Sequence, residues 1–325
     1  MKRKSQSNDG EESQTKPSPK KMARSSAQQG SHQSHDVKQE EQPVKQHQHE
    51  DSLNQDTKIL PSPGQLKYLH DEIRRLRIPV FSVEEANGKL GSNPYKLGAG
   101  GNGEAFLNKE TRIVAKFSFC YDTYVSFLKE AEWMMKLEDV PGIQRLVGMC
   151  PERFMMLTVF GGPTLQKFLK WKRRLTSKQW LQVAIDLIEV FQRLHSRDVI
   201  HNDIKSSNIC VNMEGNNIKV IPIDFGLTKS AGELVKKYGE FMGLRNFAPE
   251  FYQKPQGARC NSLSDIYSIG RVIYQIVQAL DCEMTTPLVY RWVIESQRLC
   301  PTDRHDLDTL LKAIKRELRR VKLRM

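Results

Sequence analysis

The sequence predicts an α+β chain in which short strands come first and long helices follow. Three observations carry that prediction. Strand-like segments rich in glycine, β-branched and aromatic residues crowd into positions 95–118. Amphipathic stretches of helical period then dominate as far as the C-terminus. No internal repeat interrupts either part. At 325 residues the chain is long enough for one large domain or two small ones. Its formal charge of +12 favours acidic partners, whether nucleic acid, acidic protein or a phosphorylated surface. The six cysteines are scattered without C-x-x-C spacing, which fits a reducing intracellular compartment and argues against structural zinc. No apolar run approaches the ~18 residues a spanning helix needs, so neither membrane span nor signal peptide is expected.

Residues 1–60 hold almost no aliphatic or aromatic side chains. Such a tail cannot bury enough apolar surface to offset its chain entropy, and disorder is expected. Lys2-Arg3-Lys4 and Lys20-Lys21 with Arg24 form a candidate two-part nuclear import signal, with a solvated basic tail as the alternative. Nucleus, cytoplasm or both are the expected locations. His32, His35, His47 and His49 fit a low-complexity tract better than a metal site. Residues 61–92 make a short lead-in with a helix over 65–78, and the main domain starts at about Asn93.

The stretch YKLGAGGNGEAF is expected to form a strand, a tight turn and a second strand. Gly98, Gly100 and Gly103 fall in G-x-G-x-x-G spacing, which lets backbone N–H groups approach phosphate oxygens that a Cβ would block. A dinucleotide fold would place a helix next. Instead a hairpin follows, its last strand ending in Val114-Ala115-Lys116. Lys116 on an apolar strand needs an anionic partner. The next helix offers Glu130, on the same stripe as Met134 and Leu137, with Glu132 as the fallback.

A clear amphipathic helix, with Trp180, Ala184, Leu187, Phe191 and Leu194 on one face, leads into VIHNDIKSSNICV. After a turn, a second strand ends in Asp224-Phe225-Gly226. Strand, glycines, strand lysine, this loop and D-F-G, in this order, resemble the eukaryotic protein kinase family, whose loop reads H-R-D-x-K-x-x-N. The resemblance implies a two-lobed fold, with a small β-rich N-lobe at about 93–157, a hinge at 158–162 and a mostly helical C-lobe at 163–325. It implies ATP and Mg2+ as cofactors and protein hydroxyls as substrate. Asp203 would align and deprotonate the hydroxyl, and Lys205 would neutralise the transferring phosphate. Asn208 and Asp224 would bind Mg2+ through oxygen. Leu97, Gly98, Ala99, Gly100, Gly101, Asn102, Gly103, Ala105, Lys116 and Glu130 would hold the nucleotide. Leu157-Thr158-Val159-Phe160 is the expected hinge stretch, with Leu157 gating the adenine pocket.

Beyond the loop, Ala248-Pro249-Glu250 resembles the A-P-E element and Arg304 the family's P-x-x-R arginine, expected to pair with Glu250. Asp265, in SLSDIYSIG, would hold backbone amides of the catalytic loop. Small-molecule kinases of the aminoglycoside type lack these elements. Lys205 matches the Ser/Thr type of loop, whereas Leu244 stands where a threonine is usual, so Ser/Thr specificity is the lean. Asn202 replaces the family's arginine, which pairs with a phosphorylated activation segment. An enzyme not gated in this way is expected, and no subfamily is assigned.

Basic clusters lie at Lys167, Lys170, Lys172, Arg173 and Arg174 and on a final helix with Leu307, Leu310, Leu311, Ile314, Leu318 and Val321 on its apolar face. They could meet acidic protein or nucleic acid, with solvated surface as the alternative. Two rival functions stay open. One is a pseudokinase scaffold, and the other a basic nucleic-acid-associated protein with an incidental kinase fold. Oligomeric state cannot be read from these features.

Overall fold

The computed structural model describes residues 60–170, 175–214, 217–235, 247–253, 256–280 and 286–324. The tail clusters and histidines, Lys172, Arg173, Arg174 and Leu244 lie outside the described residues. Residues Gln55–Met325 form one compact unit.

The first helix, α1 (Pro63–Arg75), starts at a reciprocal cap. The Gln65 N–H donates to Ser62 Oγ and the Ser62 N–H to Gln65 Oε1, with Pro63 in the first turn, where its missing N–H costs nothing. Its Leu69 and Ile73 are fully buried, which stabilises the packing by roughly 1.5–3 kcal/mol per side chain. A second capping box, Ser82 with Glu85, opens α2 (Val83–Leu90). The expected helix over 65–78 is therefore shorter than its pattern, and a second one follows.

Five antiparallel strands come next: β1 (Tyr95–Gly100), β2 (Gly103–Asn108), β3 (Ile113–Ser118), β4 (Leu146–Cys150) and β5 (Met155–Val159), in the order β1-β2-β3-β5-β4. The helix α3 (Tyr121–Lys136) packs on β3, β4 and β5. Residues 79–81 add a bridge along β4, where the Phe81 N–H donates to the Met149 carbonyl and the Met149 N–H to that of Pro79. Gly148 permits this approach: a Cβ there would lie 2.5 Å from the Pro79 oxygen.

The helical lobe is built on α5 (Ser177–His195), which carries a long buried face and packs against α7 (Ser262–Gln278) and α9 (Leu307–Arg324). Leu307, Leu310 and Ile314 of α9 are buried there, and Leu311, Leu318 and Val321 pack at its margin. The short α4 (Leu165–Lys170), α6 (Glu250–Gln253) and α8 (Pro287–Ser296) complete the described helices. A hairpin of β7 (Ile209–Glu214) and β8 (Asn217–Pro222) lies against α5. Its two open ends position the site: Asn208 immediately precedes β7 and Asp224 closely follows β8. The architecture is the two-lobed α+β arrangement.

Candidate active site

Lys116 sits on β3 and its Nζ lies 2.5 Å from Glu130 Oε1 on α3. Helical spacing places Glu130 on the buried face with Phe127 and Met134, and the residue is only 2 % exposed. Glu132 turns to the surface and pairs with Lys136 instead. Burial works against the Lys116 ammonium, yet the nearby Glu130 and Asp224 carboxylates outweigh it and hold the lysine charged.

The glycine hairpin closes at Gly100 opposite Gly103 with Gly101 and Asn102 at its exposed tip. A Cβ on Gly103 would lie 1.9 Å from the Phe117 carbonyl, so strand packing alone requires that glycine. A Cβ added at Gly98, Gly100 or Gly101 would meet nothing within 4 Å. Their missing side chains leave an open backbone surface, the cradle that phosphate oxygens fit. Leu97 is tied to α4, its carbonyl accepting from Lys167 Nζ at 3.4 Å. Ala105 stands directly opposite Lys116.

The loop before β7 hangs from Asp265 on α7. Asp265 accepts the His201 N–H at 2.9 Å and the Asn202 N–H at 3.0 Å, and His195 Nε2 lies 3.0 Å away. The Asp203 N–H donates to His201 Nδ1, so the ring proton sits on Nε2, which donates to the Ile223 carbonyl. One histidine thus ties the loop to the segment after β8 that carries Asp224, and its ring packs on the buried Phe225.

Asp203 Oδ2 accepts from Lys205 Nζ and from Asn208 Nδ2, both at 2.7 Å. Burial pushes the Asp203 carboxyl above its ordinary range, with Lys205 pulling the other way. Asp224 adopts left-handed backbone, φ 68°, and its charge is felt by Lys116, Glu130 and Asp203 together. Asn208 and Asp224 offer amide and carboxylate oxygens, a donor set that suits a small hard cation shared with phosphates. No cluster of three or more His, Cys, Asp or Glu side chains suited to a metal occurs among the described residues. Such a cation would therefore depend on ligands from the nucleotide as well.

One remote ion pair and one buried loop side chain frame this centre. Arg304 is buried and grips Glu250 through both carboxylate oxygens, at 2.9 and 2.7 Å. Asn202, also buried, donates its side-chain amide to the Ile200 and Leu227 carbonyls.

The chain matches the family model for protein tyrosine and serine/threonine kinases over residues 103–317, more than half its length. It belongs to that family. Its relatives include a probable serine/threonine-protein kinase PknB of Lactococcus lactis, 24% identical over 58% of this chain and 32% of the relative. The receptor-like protein kinase HERK 1 of Arabidopsis thaliana is 26% identical over 62% of this chain and 25% of that protein. The mouse tyrosine-protein kinase Fer is 29% identical over 55% of this chain and 22% of its own length. The chain thus spans a third or less of these relatives, which carry both hydroxyl specificities in their names.

The kinase domain departs from its sequence reading at the hinge. Leu157 pairs with Ala115 and is buried in a cluster with Ala86 of α2, on the sheet face away from Lys116. Strand alternation instead puts Thr158 opposite Val114, on the face that Lys116 and Met156 share. Thr158 therefore lies on the Lys116 side of the sheet, and Leu157, the expected gate, lies on the other side. The Thr158 Oγ1 accepts from the buried Gln144 Nε2 at 3.0 Å. Sequence pattern missed Gln144, although a glutamine inside the apolar run GIQRLVGMC was the available signal. It also missed Cys210, which is bridged to Thr164 just past the hinge and whose thiol burial pushes up to about 12. That thiol stays protonated and behaves as a small apolar group.

Proposed function

We propose that this chain is a protein kinase that transfers the γ-phosphate of ATP to serine or threonine hydroxyls of protein substrates, with Mg2+. The observation that carries this reading is the Asp203 carboxylate held between Lys205 and Asn208 at 2.7 Å from each. That arrangement leaves a fixed acceptor beside a fixed positive charge, the pair that phosphoryl transfer to a hydroxyl requires. Asp203 takes the hydrogen bond of the incoming hydroxyl and accepts its proton as the new P–O bond forms and the γ-phosphorus separates from the bridging oxygen, which leaves with ADP. Lys205 compensates the negative charge on the moving phosphoryl group. Lys116, kept charged by Glu130, holds the nucleotide phosphates under the glycine hairpin. When bound, Mg2+ neutralises phosphate charge, with Asn208 and Asp224 as its protein oxygens.

Serine/threonine preference rests on Lys205 in the loop, and independence from a phosphorylated activation segment rests on Asn202. Action in the nucleus or cytoplasm is proposed from the basic clusters of the N-terminal tail. The test is transfer of labelled phosphate from Mg-ATP to a panel of acidic and basic proteins, followed by phosphoamino-acid analysis. Label on serine or threonine supports the full reading. Label on tyrosine alone would overturn the hydroxyl preference while keeping the kinase.

A further inference from the structure

The matched family region begins at residue 103, yet α1 is built into the body that carries the site. Leu69 and Ile73 join Tyr124, Phe127, Leu128 and Ala131 of α3 in one buried cluster, and α1 packs directly on α3. Electrostatic influence also passes between the two helices, from Tyr68 to Tyr121 and from Glu132 to Arg75.

Both ends of α1 are fastened. The capping box holds its start. Beyond its end, Ile78 is buried and Pro79–Phe81 hydrogen-bond to Met149 on β4. Midway, His70 Nε2 lies 2.9 Å from Glu152, between β4 and β5. Glu130 lies on the same 16-residue helix, between Leu128 and Ala131, so a shift of α3 by a fraction of a turn would carry the carboxylate off Lys116.

We propose that Leu69 and Ile73 are positioning residues for phosphoryl transfer: they clamp α3 so that Glu130 stays on Lys116, and the chain carries its own α3 brace. The proposal rests on the kinase reading for its activity arm only. Without α1, the part of α3 that it covers would face water, and α3 would lose a surface that fixes its rotation.

The test uses the full chain bearing Leu69→Ala with Ile73→Ala, beside Leu310→Ala, which removes equally buried bulk from α9, the helix that packs on α5 and α8. Turnover and hydrogen exchange of the α3 amides are read well below each melting temperature. The brace predicts a loss of kcat of tenfold or more and faster exchange across Tyr121–Lys136 in the α1 variant. Leu310→Ala should lower the melting temperature without either effect. A synthetic peptide of residues 60–79 added in trans should restore part of the lost rate. If the double variant does not fold, Ile73→Ala alone serves, with the same ordering at smaller amplitude. Unchanged α3 exchange in a folded α1 variant, or kcat losses equal to those of Leu310→Ala, would overturn the proposal. Should the wild type transfer no phosphate, the kinase reading fails, while the exchange comparison still decides the brace.

Discussion

The Asn202 side-chain amide donates to the Leu227 carbonyl at 3.3 Å, joining the catalytic loop to the segment that follows Asp224. The same amide reaches the Ile200 carbonyl. Its backbone has φ 60°, a left-handed conformation that asparagine tolerates better than most residues. Nearby, β9 (Lys229–Ser230) pairs with β6 (Val199–Ile200), and β10 (Leu234–Val235) pairs with β11 (Ala258–Arg259). Arg259 and Cys260 bond to Gly232 and Glu233 across that second ladder. The start of the segment is therefore held, among the described residues, by the Asn202 amide, the Arg259 guanidinium and the β6–β9 and β10–β11 pairings.

Phosphatase treatment of the purified protein should consequently leave its turnover unchanged. Asn202→Ala should cost about 1–2 kcal/mol in stability through its lost hydrogen bonds and should lower kcat more than it alters KM for ATP. Asn202→Arg, forcing a long cation into a site that is 5 % exposed, should be the more damaging of the two. Unfolding curves together with initial rates check both.

Asp203 carries a pH signature. A carboxyl whose folded pKa stands above its unfolded value binds its proton more readily in the native state. That contribution to stability is present below the ordinary Asp range and is lost as pH rises through the raised value. At neutral pH the ionised Asp203 is thus a strain tolerated for function. Asp203→Asn should abolish turnover yet leave the melting temperature at pH 7 unchanged or higher. Lys205→Ala removes a group that lowers this pKa, so the acid limb of residual kcat should move to higher pH. A pH–rate profile reads the shift directly.

Glu250 and Arg304 form a buried, bidentate pair, and Arg304 also donates to the carbonyls of Arg298 and Leu263. Removing one partner leaves an uncompensated buried group, at a cost of about 3–5 kcal/mol. Arg304→Ala should therefore lower the denaturation midpoint strongly, and Arg304→Lys should recover little, since an ammonium cannot reproduce the two-pronged contact.

At the hinge, Thr158→Gly should admit ATP analogues enlarged at the adenine amine, because Thr158 faces the site side of β5. Leu157→Ala should leave that selectivity alone and cost about 2–5 kcal/mol of stability as a cavity in the sheet's other face. Competition between ATP and the enlarged analogue separates the two variants.

Motifs whose residues lie close in sequence were legible at once. The H-x-D-x-K-x-x-N and D-F-G stretches were read through their resemblance to the kinase family, and the structure brings Asp203, Lys205 and Asn208 together as that resemblance implies. Glu130 was legible too, because helical period decided its face against Glu132. The gate expectation fell on Leu157 because β5 is otherwise apolar on both faces, and its single hydroxyl, Thr158, is too little to phase the alternation. The second lead-in helix was lost in a polar stretch where only Ala86 is buried, although Ser82 and Glu85 carry a capping signature. Contacts made by α1 with α3 were out of reach, as nothing local links residues so distant in the chain.

The most direct test of the central claim compares wild type with Asp203→Asn in labelled phosphate transfer from Mg-ATP, after both are shown to be folded and to bind the nucleotide equally. Transfer by the wild type, reduced by several orders of magnitude in the variant, is the predicted result. Equal transfer by both, or none from a wild type that binds ATP, would contradict the assignment of Asp203 as the group that receives the substrate's proton.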